Sequence, residues 1–184
     1  MTRLIDICCS LIGLILLSPI IILLLIIGYF DTGSPIFKQE RVGRNKQPFY
    51  LLKFRSMHVN TLSLATHLVQ ASSITKWGAF LRKSKLDELP QLLNVLAGDM
   101  SFVGPRPNLL NQEELLKERV KRGVYAVRPG ITGLAQVQKI DMSTPKLLAE
   151  TDAKMIQELN TFSYFNYIFL TVFGKGFGDR IVKN

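Results

Sequence analysis

Thiols and imidazoles are almost missing from this chain of 184 residues, which has two cysteines and two histidines. Cys8 and Cys9 are adjacent, a spacing that disulfide geometry disfavours, and no other cysteine exists to pair with them. His58 and His67 have no spaced thiol beside them, so neither a zinc site nor a catalytic histidine pair is expected. Internal repeats and low-complexity segments are absent. Acid is in short supply, with 14 Asp and Glu against 23 Lys and Arg and a formal charge of +9. Such a balance suits nucleic acid, anionic lipid or phosphorylated small substrates without choosing among them. No aromatic-basic motif of a nucleic-acid binder accompanies it, and no nucleic-acid partner is expected. The length allows one domain plus a membrane segment.

What is abundant is apolar surface, 47% of residues, concentrated near the N-terminus. Residues 4–30 are almost continuously apolar, interrupted by Asp6 and by Ser18-Pro19. The run is too long for a secretory signal peptide and no small-residue cleavage site follows it. As one helix it would reach ~40 Å, more than the ~30 Å hydrocarbon core, and could span with a tilt. Alternatively, Pro19 bends it, Ser18 satisfies a freed carbonyl, and two legs of ~18–20 Å dip into one leaflet and return. Arg3 lies before the run and Lys38, Arg41, Arg44 and Lys46 after it. The positive-inside rule then places the globular part in the cytoplasm under either geometry.

Two β-like runs around a Gly/Asn/basic turn, within residues 33–57, predict a hairpin. Lys53 and Arg55 share one face of its second strand, a phosphate site or a solvated edge. Residues 61–73 read as a polar loop and 74–84 as a helix bearing Trp77, Phe80 and Leu81, with Trp77 in the core or at a membrane interface. In the next helix Leu89, Leu92, Leu93 and Leu96 recur at i, i+3, i+4 and i+7, Pro90 falls in the first turn and Gly98 stops it. Asp87 and Glu88 therefore sit at a helix start. Capping is the favoured explanation on this segment alone, since Ser84-x-x-Asp87 fits a capping box; chemistry is the alternative.

Gly104-Pro105-Arg106-Pro107 mounts Arg106 on a stiff loop suited to phosphate or carboxylate recognition. Arg128-Pro129-Gly130 repeats the arrangement, with Gly133 close by, as an anion site or an ordinary turn. The charged helix expected over 108–122, capped by Asn108 or Asn111 and stopped by Gly123, is assigned no chemistry. A helix follows over 144–159, with Thr144 as cap. The aromatic run 164–173, followed by Lys175 and Arg180, is too short to span a bilayer and reads as an interfacial or a core helix.

Taken in order, these motifs resemble the bacterial sugar transferases, the monotopic polyprenyl-phosphate phosphoglycosyl transferases. Six carry the likeness: Ser18-Pro19, Phe37-Lys38-Gln39-Glu40-Arg41-Val42-Gly43, Lys53-Phe54-Arg55-Ser56-Met57, Leu86-Asp87-Glu88-Leu89-Pro90-Gln91-Leu92, residues 98–107, and Arg128-Pro129-Gly130-Ile131-Thr132-Gly133. The resemblance implies an α+β fold, mainly helical with a small β-hairpin. It divides the chain into a re-entrant helix-break-helix, residues 1–31, broken at Ser18 and Pro19, and a cytoplasmic catalytic domain, residues 32–184, with interfacial amphipathic helices on the bacterial inner membrane. It implies transfer of a sugar 1-phosphate from a UDP-sugar to undecaprenyl phosphate with release of UMP, magnesium being required. Carried over, Asp87 is the covalent nucleophile. Residue chemistry makes Asp87 or Glu88 the metal ligands, leaves Glu88 the alternative catalytic role of positioning or deprotonating the lipid phosphate, and makes Lys53, Arg55, Arg106 and Arg128 the candidates for holding phosphates. Inner-membrane lipid is a partner, and a homodimer is left open.

The chain departs from the family pattern at Ser84-Lys85, at Gln138-Lys139-Ile140-Asp141 and over 174–180. These departures point to a sugar other than glucose or galactose, such as an N-acetylated or deoxygenated amino sugar. A membrane-anchored basic binding or scaffold protein is the competing class, and it is indifferent to Asp87.

Overall fold

The apolar N-terminal run forms one helix, α1 (Thr2–Thr32), with Pro19 inside it. The computed structural model describes residues 2–59, 61 and 73–173. His67, most of the 61–73 loop and the 174–180 departure lie outside the described residues. The expected break at Ser18-Pro19 is not seen as an interruption, since the helix is assigned throughout. The Ser18 hydroxyl donates to the Ile15 carbonyl at 2.8 Å, the local bond that membrane helices use beside a proline.

Both ends of α1 are held by the same body. At the start, Arg3 donates to the Val95 and Leu96 carbonyls, and Asp6, only 1% exposed, accepts from Ser101 Oγ, the Phe102 amide and the Tyr164 hydroxyl. Burial and the Asp6 bond both push the Tyr164 phenol pKa up, which keeps it a donor. At the far end, Leu24 packs with Phe54 and Leu81, Gly28 lies against Pro35, and Asp31 accepts from the Thr75 hydroxyl. Between these ends the helix shows its apolar face to the outside, with Ile15 69% and Leu16 71% exposed. So much continuous apolar surface belongs against lipid.

After α1 comes the predicted hairpin, β1 (Ile36–Val42) paired antiparallel with β2 (Pro48–Phe54), Phe37 opposite Lys53 and Arg41 opposite Phe49. Asn45 and Lys46 take positive φ in its turn. Helix α2 (Lys76–Ser84) is capped by Thr75, whose side chain accepts from the Gly78 amide. Trp77 packs beside the Leu24, Phe54 and Leu81 cluster and stacks on Phe80. Helix α3 (Gln91–Ala97) ends at Gly98, φ 98°, as the glycine stop predicts. Its buried face is Gln91, Leu92, Asn94 and Val95, rotated from the leucine stripe, so that Leu93 is exposed. The polar members go inside because the Asn94 amide bonds the Tyr50 carbonyl and the Leu52 amide, stitching α3 to β2.

A second sheet, not foreseen, pairs β3 (Ser101–Val103) in parallel with β4 (Gly130–Thr132). The rest is helical: α4 (Glu113–Lys121), α5 (Leu134–Val137), α6 (Pro145–Glu158) and α7 (Thr161–Val172). Neither Asn108 nor Asn111 caps α4; Gln112 stands there, and Asn108 is fully buried instead. Thr144 stands at the N-terminal cap of α6 without a capping bond, its hydroxyl donating instead to the Asp141 carbonyl, with Pro145 in the first turn. Asn160 and Ser163 form a reciprocal capping box for α7. That helix buries Tyr164 and exposes Phe162, Phe169 and Phe173, so the aromatic run serves core and surface at once. The fold is thus mainly helical with two small sheets.

Replacing Asp6 by Ala leaves three donors without an acceptor. We expect a loss of about 3–5 kcal/mol, roughly 10 °C in detergent melts followed by Trp77 fluorescence.

Candidate active site

Helix α2 does not run into the next turn. Lys85 takes φ 59°, a left-handed conformation, and reverses the chain into a 3-10 turn, Leu86–Glu88. Ser84 is therefore the last residue of α2, and its hydroxyl donates back to the Phe80 and Leu81 carbonyls. The expected capping box is replaced by this geometry. In a 3-10 turn, residues three apart eclipse, and Leu86 and Leu89 both pack toward Leu24, Phe54 and Leu81. With the leucines anchored, Asp87 and Glu88 are turned aside from the core.

Glu88 Oε1 accepts from Lys53 Nζ at 3.3 Å and from Arg106 Nη2 at 2.9 Å, all three side chains being mostly buried. Asp87 beside it is 7% exposed. A pocket opens here, lined by Arg41, Leu51, Lys53, Gln91, Arg106, Pro107 and Gly130. Three cations thus line one small pocket, two of them held by the Glu88 carboxylate, with Asp87 next to Glu88 in the chain. Burial pushes the pKa of the neighbouring Lys85 down, with Arg106 adding to the shift and Glu88 opposing it. The Lys85 ammonium donates to the Thr171 carbonyl of α7 at 2.9 Å.

Of the cations expected from sequence, Lys53 and Arg106 come together on Glu88, and the other two do not join them there. Arg55 donates to the Ser34 carbonyl and hydroxyl and lies over the Phe37 ring. Arg128 donates to the Gly98 carbonyl at 2.7 Å, at the C-terminal end of α3. Sequence reasoning missed Arg41, Gln39 and Gln91. Arg41 is buried with Gln39, whose side-chain oxygen accepts from Nε and Nη2, and it also donates to the Pro107 carbonyl. The signal was the parity of β1, since Gln39 and Arg41 fall on the face carrying Lys53 in the register.

Among the described residues no group of three or more His, Cys, Asp and Glu forms a metal cluster. Two adjacent carboxylates nonetheless fit a hard cation such as Mg2+, which takes one or two carboxylates and completes its shell with substrate phosphates and water. The donors are all oxygen, which does not suit a soft metal.

The model of the family described as "Bacterial sugar transferase" matches residues 1–176. This chain belongs to that family. Relatives of the chain include the UDP-glucose:undecaprenyl-phosphate glucose-1-phosphate transferase of Escherichia coli, 37% identical over 185 residues, covering 95% of this chain and 40% of the relative. The sugar transferase EpsL of Bacillus subtilis, itself uncharacterized, is 38% identical over 171 residues, covering 92% of this chain and 84% of the relative. The galactosyl transferase CpsE of Streptococcus agalactiae is 36% identical, covering 92% of this chain and 41% of the relative. The chain thus spans about two fifths of the length of the Escherichia coli and Streptococcus agalactiae proteins.

In this member of the family the loop bearing Arg106 is set by two glycines. Gly104 and Gly130 approach so closely that a Cβ on Gly130 would stand 2.0 Å from the Gly104 nitrogen. Gly130→Ala must therefore push the loop away from Glu88. We expect about 3 kcal/mol of destabilisation, read as a fall of roughly 6–12 °C in thermal melts.

Proposed function

We propose that the chain is a phosphoglycosyl transferase that moves a sugar 1-phosphate from a UDP-sugar to undecaprenyl phosphate. The observation that carries this reading is Asp87 set beside Glu88, with Lys53 and Arg106 converging on the Glu88 carboxylate. An Asp87 oxygen attacks the sugar-bearing phosphorus. The bond from that phosphorus to the bridging oxygen breaks, UMP leaves, and an aspartyl phosphosugar remains. An oxygen of the lipid phosphate then attacks the same phosphorus, the Asp87 oxygen–phosphorus bond breaks, and the carboxylate is regenerated.

Splitting the transfer lets the nucleotide depart before the lipid arrives. Lys53, Arg106 and Arg41 hold the diphosphate in line, the work on which phosphoryl transfer mainly depends. Arg55 and Arg128, engaged with carbonyls, support the frame of the site in this reading. Asp87 and Glu88 would hold Mg2+, which supplies charge neutralisation on the diphosphate oxygens when bound.

We further infer that α1 enters one leaflet and returns, with the globular part in the cytoplasm of a bacterial cell. The attachment of both ends of α1 to the same body supports this, because a span would carry one end ~30 Å away. The relatives' names cover glucose 1-phosphate and galactosyl transfer, while residues 138–141 depart from the family pattern, so the donor belongs among UDP-hexoses and their amino derivatives.

Asp87→Asn should abolish UMP release from a panel of UDP-sugars with undecaprenyl phosphate, and full activity in that variant would refute the nucleophile. Acid-quenched single-turnover protein should carry the phosphosugar on Asp87 by mass spectrometry; EDTA should stop turnover and Mg2+ restore it. For topology, a cysteine at Thr2 in a Cys8/Cys9-free background should resist an impermeant thiol reagent added outside intact cells. Labelling from outside would mean that α1 spans.

A further inference from the structure

Arg119 lies on α4, to which the sequence assigned no chemistry, yet it is only 1% exposed. A charge so deeply buried needs a partner and a full set of acceptors. Its Nε and Nη2 donate to Asp152 Oδ2 at 3.0 and 2.7 Å, and Asp152 is itself 1% exposed. Burial pushes the Asp152 carboxyl pKa up and Arg119 pulls it back.

The remaining nitrogen faces the other way. Arg119 Nη1 donates to the Arg106 carbonyl at 2.9 Å and to Asn108 Oδ1 at 2.9 Å. Asn108 is fully buried, and its Oδ1 also accepts from the Tyr125 hydroxyl at 2.9 Å. In consequence three successive carbonyls are each held by a different donor: Pro105 by the Gly130 amide, Arg106 by Arg119 and Pro107 by Arg41. Two proline rings fix φ on either side of Arg106 and the three bonds fix the peptide planes. The Arg106 guanidinium is delivered to Glu88 Oε1 with little freedom left in its backbone.

We propose that Arg119, neutralised by Asp152, is a positioning residue that sets the Arg106 guanidinium over the reacting diphosphate. The proposal rests on the reading above, in which Arg106 holds that diphosphate. An arginine that merely joined α4 to α6 would need Asp152 alone; the bond from Nη1 to the Arg106 carbonyl ties the pair to the site. Lysine at this position keeps the charge but has one nitrogen, and it cannot serve Asp152 and the Arg106 carbonyl together.

The test combines Arg119→Lys, Arg106→Ala and the double variant, assayed for UMP release on whichever UDP-sugar the wild-type protein turns over fastest. Arg119→Lys should lower kcat by about 10- to 100-fold, as a misplaced clamp does. In the Arg106→Ala background it should cost less than about twofold, since its action runs through Arg106. Equal losses in both backgrounds would overturn the proposal. Hydrogen exchange gives a readout apart from activity: the loop-bonded amides of Gly104, Gly130 and Val42, which donate to the Thr132, Pro105 and Asn108 carbonyls, should exchange faster in Arg119→Lys while those of α6 keep their protection. Unchanged exchange at the loop would also overturn it. If Arg119→Lys does not fold, Tyr125→Phe loosens the same network through Asn108 and should give the same pattern, about two- to threefold. Failure of the underlying functional reading looks different. There, no UDP-sugar yields UMP with the wild-type protein, or Arg106→Ala keeps the full rate, and loop exchange alone decides the positioning.

Discussion

Charge taken out of water must find charge of the opposite sign, and that constraint governs the middle of this molecule. Lys53, Arg106 and Glu88 are mostly buried, Arg41 lines the same pocket as Lys53 and Arg106, and Asp87, next to Glu88 in the chain, is buried too. Each would be costly alone, by several kcal/mol even after relaxation. Together they neutralise most of one another and leave a cationic surplus. That surplus is what a diphosphate would meet. The hairpin, the 3-10 turn and the Arg106 loop come from separate parts of the chain, and the mutual need of these side chains is a reason for the three to meet. The Arg119–Asp152 pair repeats the arrangement one layer further in.

Much of this was legible in the sequence because it is local. The hairpin, the helix with Trp77, the Gly98 stop and the stiff Arg106 loop follow from strand composition, periodicity and proline. Asp87 and Glu88 were placed at a helix start and stand in the turn before it. What could not be read depends on neighbours distant in sequence. A strand of three residues has no period, so β3 and β4 were invisible until the Gly104–Gly130 contact joined them. Gln39 and Arg41 drew no reading as site residues, since the parity of β1 puts them on the Lys53 face but does not say that this face meets the Pro107 loop. An arginine beside Pro-Gly looks the same whether it meets a phosphate or a carbonyl, and Arg128 meets the Gly98 carbonyl. Ser84-x-x-Asp87 fits a capping pattern, but the left-handed Lys85 separates its two halves.

Helix α1 is the element in which composition and contacts speak to different questions. Its hydropathy says that it belongs in lipid. Its polar interruptions, Arg3 and Asp6 at one end and Asp31 at the other, are the residues that fasten it to the globular part. A charged residue in an apolar run is costly in a membrane, and Asp6 escapes that cost by accepting three bonds inside the protein. The same aspartate that breaks the apolar pattern thus fixes where the run begins.

The bond from Lys85 to the Thr171 carbonyl joins the 3-10 turn of Asp87 and Glu88 to the last turn of α7, which carries exposed Phe169 and is followed by exposed Phe173. On the proposed reaction it acts as a spacer. Were those rings to settle among lipid headgroups, their depth would fix the height of Asp87 above the bilayer, while the phosphorus of a polyprenyl phosphate would be presented at one height only. Bilayer thickness and headgroup size then become variables of the reaction, through a lever one lysine long.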